Sequence, residues 1–259
     1  MYYALTSREE LLRHFPKSAV GAEIGVAEGT FSAAILSAAE PRELHLIDPW
    51  SYLESGSDLL RGRGHLADMD RARAGKFNPP APLPEGDRKY AEVVARFEGE
   101  PSVRIHRQYS YKAAGSFPDR FFDFVYIDGN HHYEFVLRDL EDFAAKLKPG
   151  GLMFGHDFFE DAFARQEHYG VIEAVNAFVK RSDFRFLMLT AEPFSTFCLA
   201  RRLDDFAAAF LRNVLESDLQ MIEIPDAVAS NYRDKSYKRQ DGSINRIPSF
   251  MSSRQFQLA

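Results

Sequence analysis

The chain has 259 residues, 45% of them hydrophobic and 27% charged, with a formal net charge of −6 and a pI of about 5.8. These are globular values that exclude wholesale disorder, and the length suits one α/β domain with insertions or two small domains. The acidic balance argues against a nucleic-acid substrate, because phosphate binding calls for basic surface.

The single cysteine, Cys198, excludes an intrachain disulfide and reads as a small core residue. No apolar run approaches the length of a membrane span. The first thirteen residues mix Arg8, Glu9, Glu10 and Arg13 among their apolar positions, unlike a signal peptide, so the expected location is cytoplasmic with no membrane partner. With 23 Phe against one Trp, the core is expected to be Phe-rich. The surplus rings late in the chain suit an apolar pocket or a contact between copies in a homo-oligomer.

In chain order, Thr6 or Ser7 caps a first helix that runs to about Phe15, with Glu9 and Glu10 in its first turn. Residues 19–25 read as a buried strand ending in a glycine turn. Residues 30–39 are Ala-rich with Phe31, Ile35 and Leu36 at helical spacing, and Pro41 stops that helix. Residues 43–48 form a second strand, completing a βαβ unit. Residues 51–86, with Gly56, Gly62, Gly64 and Gly75 and the cluster Pro79, Pro80, Pro82 and Pro84, are too long for a plain connection and predict a lid. A helix over 88–97, a strand over 103–106 and a strand over 124–128 follow. A helix over 135–147 is stopped by Lys148-Pro149-Gly150-Gly151. A strand over 152–157, a helix over 170–180, and strands over 184–189 and 195–200 close the pattern as a hairpin around Pro193. A helix over 204–222 and a polar, basic tail from Ser230 complete the chain, the tail reading as solvated surface.

The expected fold is therefore α/β, a doubly wound seven-stranded Rossmann-like sheet with a terminal antiparallel hairpin. The expected division is a domain over 1–203 with a lid-like insertion at 51–86, then a C-terminal helix and polar tail over 204–259. Ligands of such sheets sit beyond the carboxyl ends of the strands, where Gly25, Asp48, Asp128 and Asp157 all fall.

Gly25 and Gly29 flank a strand-to-helix loop, where missing side chains let backbone approach a ligand and the helix offers free N–H groups. Glu23 before Gly25 disfavours a diphosphate and suits a cationic amino-acid cofactor. Asp48, about twenty residues on, stands where a carboxylate grips ribose hydroxyls. Glu-Ile-Gly-Val-x-x-Gly over 23–29, a strand ending in Asp48 and Lys-Pro-Gly-Gly over 148–151 resemble the class I S-adenosylmethionine-dependent methyltransferases, over residues 19–201. The resemblance implies that Glu23, Gly25 and Gly29, with Glu28 in the same loop, hold the methionine part, and that Asp48 holds the ribose. It places Gln108, Tyr109 and Ser110 beside the adenine and adds Asp128 to the cofactor contacts.

Asp128 and Asp157 end adjacent strands, with His131, His132 and His156 nearby. Carboxylates and imidazoles around one cleft can bind a divalent cation. Tyr-Ile-Asp-Gly-x-His-x-Tyr-Glu over 126–134 looks like the subgroup that includes macrocin-type sugar O-methyltransferases. That resemblance implies a divalent cation, magnesium or a transition metal, on Asp128, His156 and Asp157. The subgroup's base two residues after the first Asp is replaced here by Asn130, which leaves His131, then His132, as the expected proton acceptor. The expected reaction is metal-assisted O-methylation of a small hydroxylated molecule such as a sugar or glycoside. A hydroxylase-like enzyme on the same fold and a non-catalytic S-adenosylmethionine-binding domain are the alternatives.

Overall fold

The structure, a computed structural model, describes residues 1–51, 84–160, 162–225, 233–238 and 244–249. The lid expected over 51–86 falls largely outside them. Strand β1 (Tyr2–Ala4) is followed by the short helix α1 (Arg8–Leu11) and a 3₁₀ turn (Leu12–His14). Then come β2 (Val20–Ile24), α2 (Thr30–Ala39), β3 (Glu43–Asp48), α3 (Pro84–Arg96), β4 (Val103–Arg107) and α4 (Ser110–Ala114). The second half holds β5 (Phe122–Ile127), α5 (Tyr133–Ala144), β6 (Leu147–Gly155), α6 (Ala162–Gln166), α7 (Val171–Arg181), β7 (Arg185–Thr190) and β8 (Phe197–Ala200). The chain ends with α8 (Asp205–Leu215), β9 (Met221–Glu223), β10 (Arg233–Lys238) and β11 (Ile244–Ser249).

The main sheet is nine-stranded in the order β4-β3-β2-β5-β6-β8-β7-β1-β9. It contains the seven expected strands and two more. Strand β1 adds parallel to β7, Tyr2 opposite Met188 and Ala4 opposite Thr190, and β9 adds antiparallel to β1. The expected antiparallel hairpin is present, since β8 pairs antiparallel with both β6 and β7, but it lies inside the sheet and not at its edge. The physical reason is the open edge of β7: a free ladder of N–H and C=O groups is satisfied by any short strand. Tyr3 and Ala4, both buried, supply one apolar side chain to each face of the sheet, Tyr3 to the layer of α5 and α7 and Ala4 to the layer of α2 and α8.

Two further expectations are corrected and one element is added. The helix expected to reach Ile222 ends at Leu215. There the Ser217 hydroxyl donates to the Val214 carbonyl at 2.7 Å and accepts from the Leu219 amide at 3.2 Å, a local bonding pattern that competes with helix. Lys148–Gly151 is not a stop but the first half of β6. Its Gly150 lies against the backbone of Asp204, where a side chain has no room. The tail holds a hairpin, β10 pairing with β11 from Arg233 opposite Ser249 to Lys238 opposite Ile244.

Strand β2 is buried at every position because β3 and β5 flank it and helices cover both faces, so its sequence is nearly continuous in small and apolar residues. Strand β5 alternates: Val125 and Ile127 face the layer of α5 and α7, Phe124 and Tyr126 the layer of α2 and α8. Phe15 anchors the second layer, with its ring centroid 4.8–5.8 Å from those of Phe124, Phe154, Phe206 and Phe210. Helix α8 thus packs into the same core as the sheet through Phe206, Phe210 and Val214. Strand order reverses between β2 and β5, and the crevice that this opens at their carboxyl ends is where an α/β sheet receives its ligand.

Candidate active site at the carboxyl edge of the sheet

The loop after β2 is built around a backbone that excludes side chains. Gly25 has φ +88° and donates its amide to the Ile47 carbonyl at 3.0 Å. A Cβ there would overlap the carbonyl of Asp128, whose own amide donates to the Ile24 carbonyl at 2.8 Å. The glycine loop and the end of β5 are therefore in direct backbone contact. Gly29, with φ +73°, starts α2 and packs on Phe97 and Val93.

Asp48 holds this loop in shape. Its Oδ2 accepts from the amides of Val26 at 2.9 Å and Ala27 at 3.1 Å, and its Oδ1 accepts from the Trp50 amide at 2.6 Å. Burial raises the Asp48 pKa, and those three amides oppose the shift. The Trp50 indole donates to the Ala27 carbonyl at 2.8 Å, closing the same loop from the outside. Glu23 is buried beneath the loop and accepts from the Ser32 hydroxyl. Burial pushes its pKa up to about 8, with the Ser32 bond opposing. Glu28 instead faces Lys89 of α3, at 2.7 Å. At the loop expected beside the adenine, the Ser110 hydroxyl donates to Asp139 at 2.5 Å, and the Tyr109 and Ser51 hydroxyls lie 2.9 Å apart. Gln108 is half-buried, with its amide bonded to the His106 carbonyl at 2.9 Å.

Beyond β5 and β6 the structure assembles a cluster of opposite charges. His131 Nε2 lies 2.8 Å from Asp157 Oδ2 and 3.7 Å from Asp128 Oδ1. The carboxylates stand off the direction of a ring N–H, so this buried nitrogen has close electrostatic neighbours but no directed hydrogen bond. Burial alone would lower the His131 pKa. The two carboxylates outweigh it and raise the value to about 9. Burial opposes ionisation of Asp157, but His131 and His156 hold its pKa below the ordinary carboxylate range. His156 Nδ1 stands 3.5 Å from Asp157 Oδ2 and 3.8 Å from Asp128 Oδ2. The donor atoms of Asp128, His131 and Asp157 all lie within 4.8 Å of one another, a spacing that fits one metal ion.

The two imidazoles expected as proton acceptors are separated. His131 sits in the cluster, its ring 4.4 Å from that of Tyr169. His132 caps α5 and lines a neighbouring hollow with Arg165, His168, Tyr169 and Glu173. Burial lowers the His132 pKa.

Two participants escape the sequence reading. Tyr169 is one, because nothing in its local pattern places it against His131. Arg8 is the other: its Nη1 lies 2.7 Å from Asp128 Oδ2, and its guanidinium lies 4.4 Å from the centroid of Phe31. A signal for Arg8 did exist. A cation at the first position of a helix opposes the helix dipole, so its place there asks for a partner elsewhere.

Among the described residues, no helix is long and apolar enough to cross a membrane. Comparison with known proteins gives the family. Residues 22–158 match the family model of the methyltransferase domain. No curated protein matches the chain. Solved structures of similar fold include a SAM-dependent methyltransferase from Aquifex aeolicus, 14% identical with a TM-score of 0.49 over 75% of this chain and 88% of that one. An O-methyltransferase family protein from Burkholderia thailandensis is 9% identical, with a TM-score of 0.48 over 74% of this chain and 55% of that one. A Streptococcus mutans structure, in complex with S-adenosylhomocysteine, is 10% identical with a TM-score of 0.47 over 74% of this chain and 93% of that one. The family match spans more than half of the 259 residues and includes the glycine loop, Asp48 and both strand-end carboxylates, and the chain accordingly belongs to the S-adenosylmethionine-dependent class I methyltransferases.

Proposed function

We propose that the protein is a metal-assisted O-methyltransferase of a small hydroxylated molecule, a sugar or glycoside being the expected acceptor. The observation that carries this reading is the three-donor cup of Asp128, His131 and Asp157 beside the glycine loop. Two carboxylate oxygens and one imidazole nitrogen suit a divalent cation, and the imidazole brings transition metals such as manganese within range. The buried His131 Nε2, close to carboxylates yet without a directed hydrogen bond, is the orphan that such an ion would satisfy. The fit selects His131 as the third donor in place of His156, with His156 beside both carboxylates. A bound cation lowers the pKa of an acceptor hydroxyl and fixes its oxygen.

The chain's own residues supply the rest. The loop over 23–29 presents backbone to the cofactor, and Gly25 brings that loop against the β5 end. Methyl transfer needs the acceptor oxygen in line with the sulfonium methyl group, which a cup and a cofactor loop on adjacent strand ends provide. Asp48 keeps spare acceptor capacity for ribose hydroxyls, since each carboxylate oxygen has two lone pairs. With its pKa raised to about 9, His131 holds a proton at neutral pH and is a poor base; a cation held in the cup would replace that proton and occupy the same lone pair, so His131 serves as a donor to the ion and not as the base. His132, whose pKa burial lowers, is the other imidazole of this region, but it lines the neighbouring hollow and not the cup.

The test is product formation from labelled S-adenosylmethionine over a panel of hydroxylated acceptors, with manganese, with magnesium and with chelator. Methylated product that disappears with chelator supports the proposal. Cofactor binding with no turnover on any hydroxyl compound favours the non-catalytic reading.

A further inference from the structure

We infer that Arg8 binds the α-carboxylate of the cofactor, so that the segment before β2 completes the cofactor site. The inference rests on the assignment of the glycine loop to S-adenosylmethionine. That ligand ends in a zwitterionic amino acid, whose ammonium and carboxylate need opposite partners a few ångströms apart.

The strand ends at the switch point bring several carboxyl groups together, though burial favours the neutral form of Glu23. Glu23, Asp48 and Asp128 come from β2, β3 and the end of β5, and Asp157 stands one strand further on. Such a cleft welcomes an ammonium or a sulfonium and repels a carboxylate. Arg8 changes that at one point. Its Nη1 meets Asp128 Oδ2 at 2.7 Å, and Phe31, one residue into α2, lies under the guanidinium plane at 4.4 Å. The cation therefore stands above the start of α2, next to the carboxylate whose peptide touches Gly25. An amino acid laid along that edge meets Asp128 with its ammonium and Arg8 with its carboxylate. Arginine suits this role, because its planar fork presents five N–H donors, and the bonds from Nη1 to Asp128 and from Nε to Glu9 at 3.2 Å, with Tyr126 also in reach, do not exhaust them.

The position is built. Strand β1 runs parallel to β7, so the chain leaves Ala4 at the ligand edge of the sheet. Ser7 caps α1, its hydroxyl accepting from the Glu10 amide at 3.3 Å. Glu192, in the turn after β7, accepts from the Arg8 amide at 3.0 Å and from the Thr190 hydroxyl at 2.6 Å. The Arg8 backbone is thus held by Glu192, a contact that shares no atom with Asp128. Arg8 also uses only Oδ2 of Asp128, leaving Oδ1 toward His131. The clamp and the three-donor cup are compatible. Arg8 precedes residues 22–158, which match the family model.

The test compares two ligands by calorimetry on the full chain: S-adenosylhomocysteine, and 5′-methylthioadenosine, which keeps the nucleoside and thioether but lacks the amino-acid end. In Arg8→Gln, affinity for S-adenosylhomocysteine falls about 10- to 100-fold, the usual worth of a charge-assisted hydrogen bond, while 5′-methylthioadenosine binds as in the wild type. Arg8→Lys restores part of the loss. Equal weakening of both ligands, or no weakening of either, overturns the inference. Failure of the wild-type protein to bind either ligand overturns the cofactor assignment itself, a result distinct from failure of the clamp alone.

Discussion

The carboxylate of Asp48 reaches back 22 residues to the amide of Val26 and accepts from it at 2.9 Å. With the bonds from Ala27 and Trp50, one side chain shapes the glycine loop that it also borders. Asp48→Ala should therefore weaken fold and ligand binding together. Leaving buried amides without acceptors costs about 1–3 kcal/mol each where no water replaces the lost partner. Thermal unfolding should show a clear drop in midpoint, and calorimetry a loss of S-adenosylhomocysteine affinity. A variant as stable as the wild type that binds normally would show that Asp48 neither shapes the loop nor touches the cofactor.

Gly25 and Gly99 make a matched pair of substitutions. Both have positive φ, +88° and +78°, but a Cβ at 25 strikes the Asp128 backbone, whereas a Cβ at 99 meets nothing within 4 Å. Gly99→Ala should cost about 1–2 kcal/mol, the strain of an L-residue in the left-handed region, and leave binding intact. Gly25→Ala should cost more and abolish S-adenosylhomocysteine binding. Equal effects of the two on binding would mean that the loop–β5 contact does not organise the site.

Acid stability tests a different region. His45 Nδ1 and His106 Nε2 pair at 2.9 Å, with Phe117, Phe121 and Phe122 edge-on to the His45 ring. Burial, then the neighbouring His106, lowers the His45 pKa to about 4, against a weaker pull upward from Glu43. A base with its folded pKa lowered stabilises the fold above its ordinary value of 6.5 and loses that contribution as pH falls from 6.5 to about 4. Denaturant melts at pH 7, 6, 5 and 4 should show stability falling through this window, by up to about 1.4 kcal/mol per pH unit for one proton. His45→Phe should flatten that slope. An unchanged slope would assign the acid sensitivity to other groups.

Much of the fold was legible because parallel strands and amphipathic helices leave strong periodic patterns. Strands β2 to β8, the hairpin around Pro193 and helices α5, α7 and α8 follow from those patterns, whereas the short α6 was not read. Strands β1 and β9 were not legible, because three residues carry no period and their pairing is decided by the distant edge of β7. Lys148–Gly151 was misread because a Pro-Gly-Gly run has turn chemistry, yet packing against Asp204 draws it into β6. In the site, position after a strand end identified Gly25, Asp48, Asp128 and Asp157. The partners of those residues were hidden. Arg8 and Tyr169 lie far along the chain from Asp128 and His131, and only tertiary structure brings them together.

The most direct test of the account is manganese binding to protein saturated with S-adenosylhomocysteine, measured by calorimetry in the wild type, His131→Ala and Asp157→Ala. The cup of Asp128, His131 and Asp157 predicts one ion per chain in the wild type and at least about tenfold weaker binding in each variant, since each removes one of three protein donors. Wild-type protein that binds the cofactor but no divalent ion, or His131→Ala that binds manganese as tightly as the wild type, would contradict it.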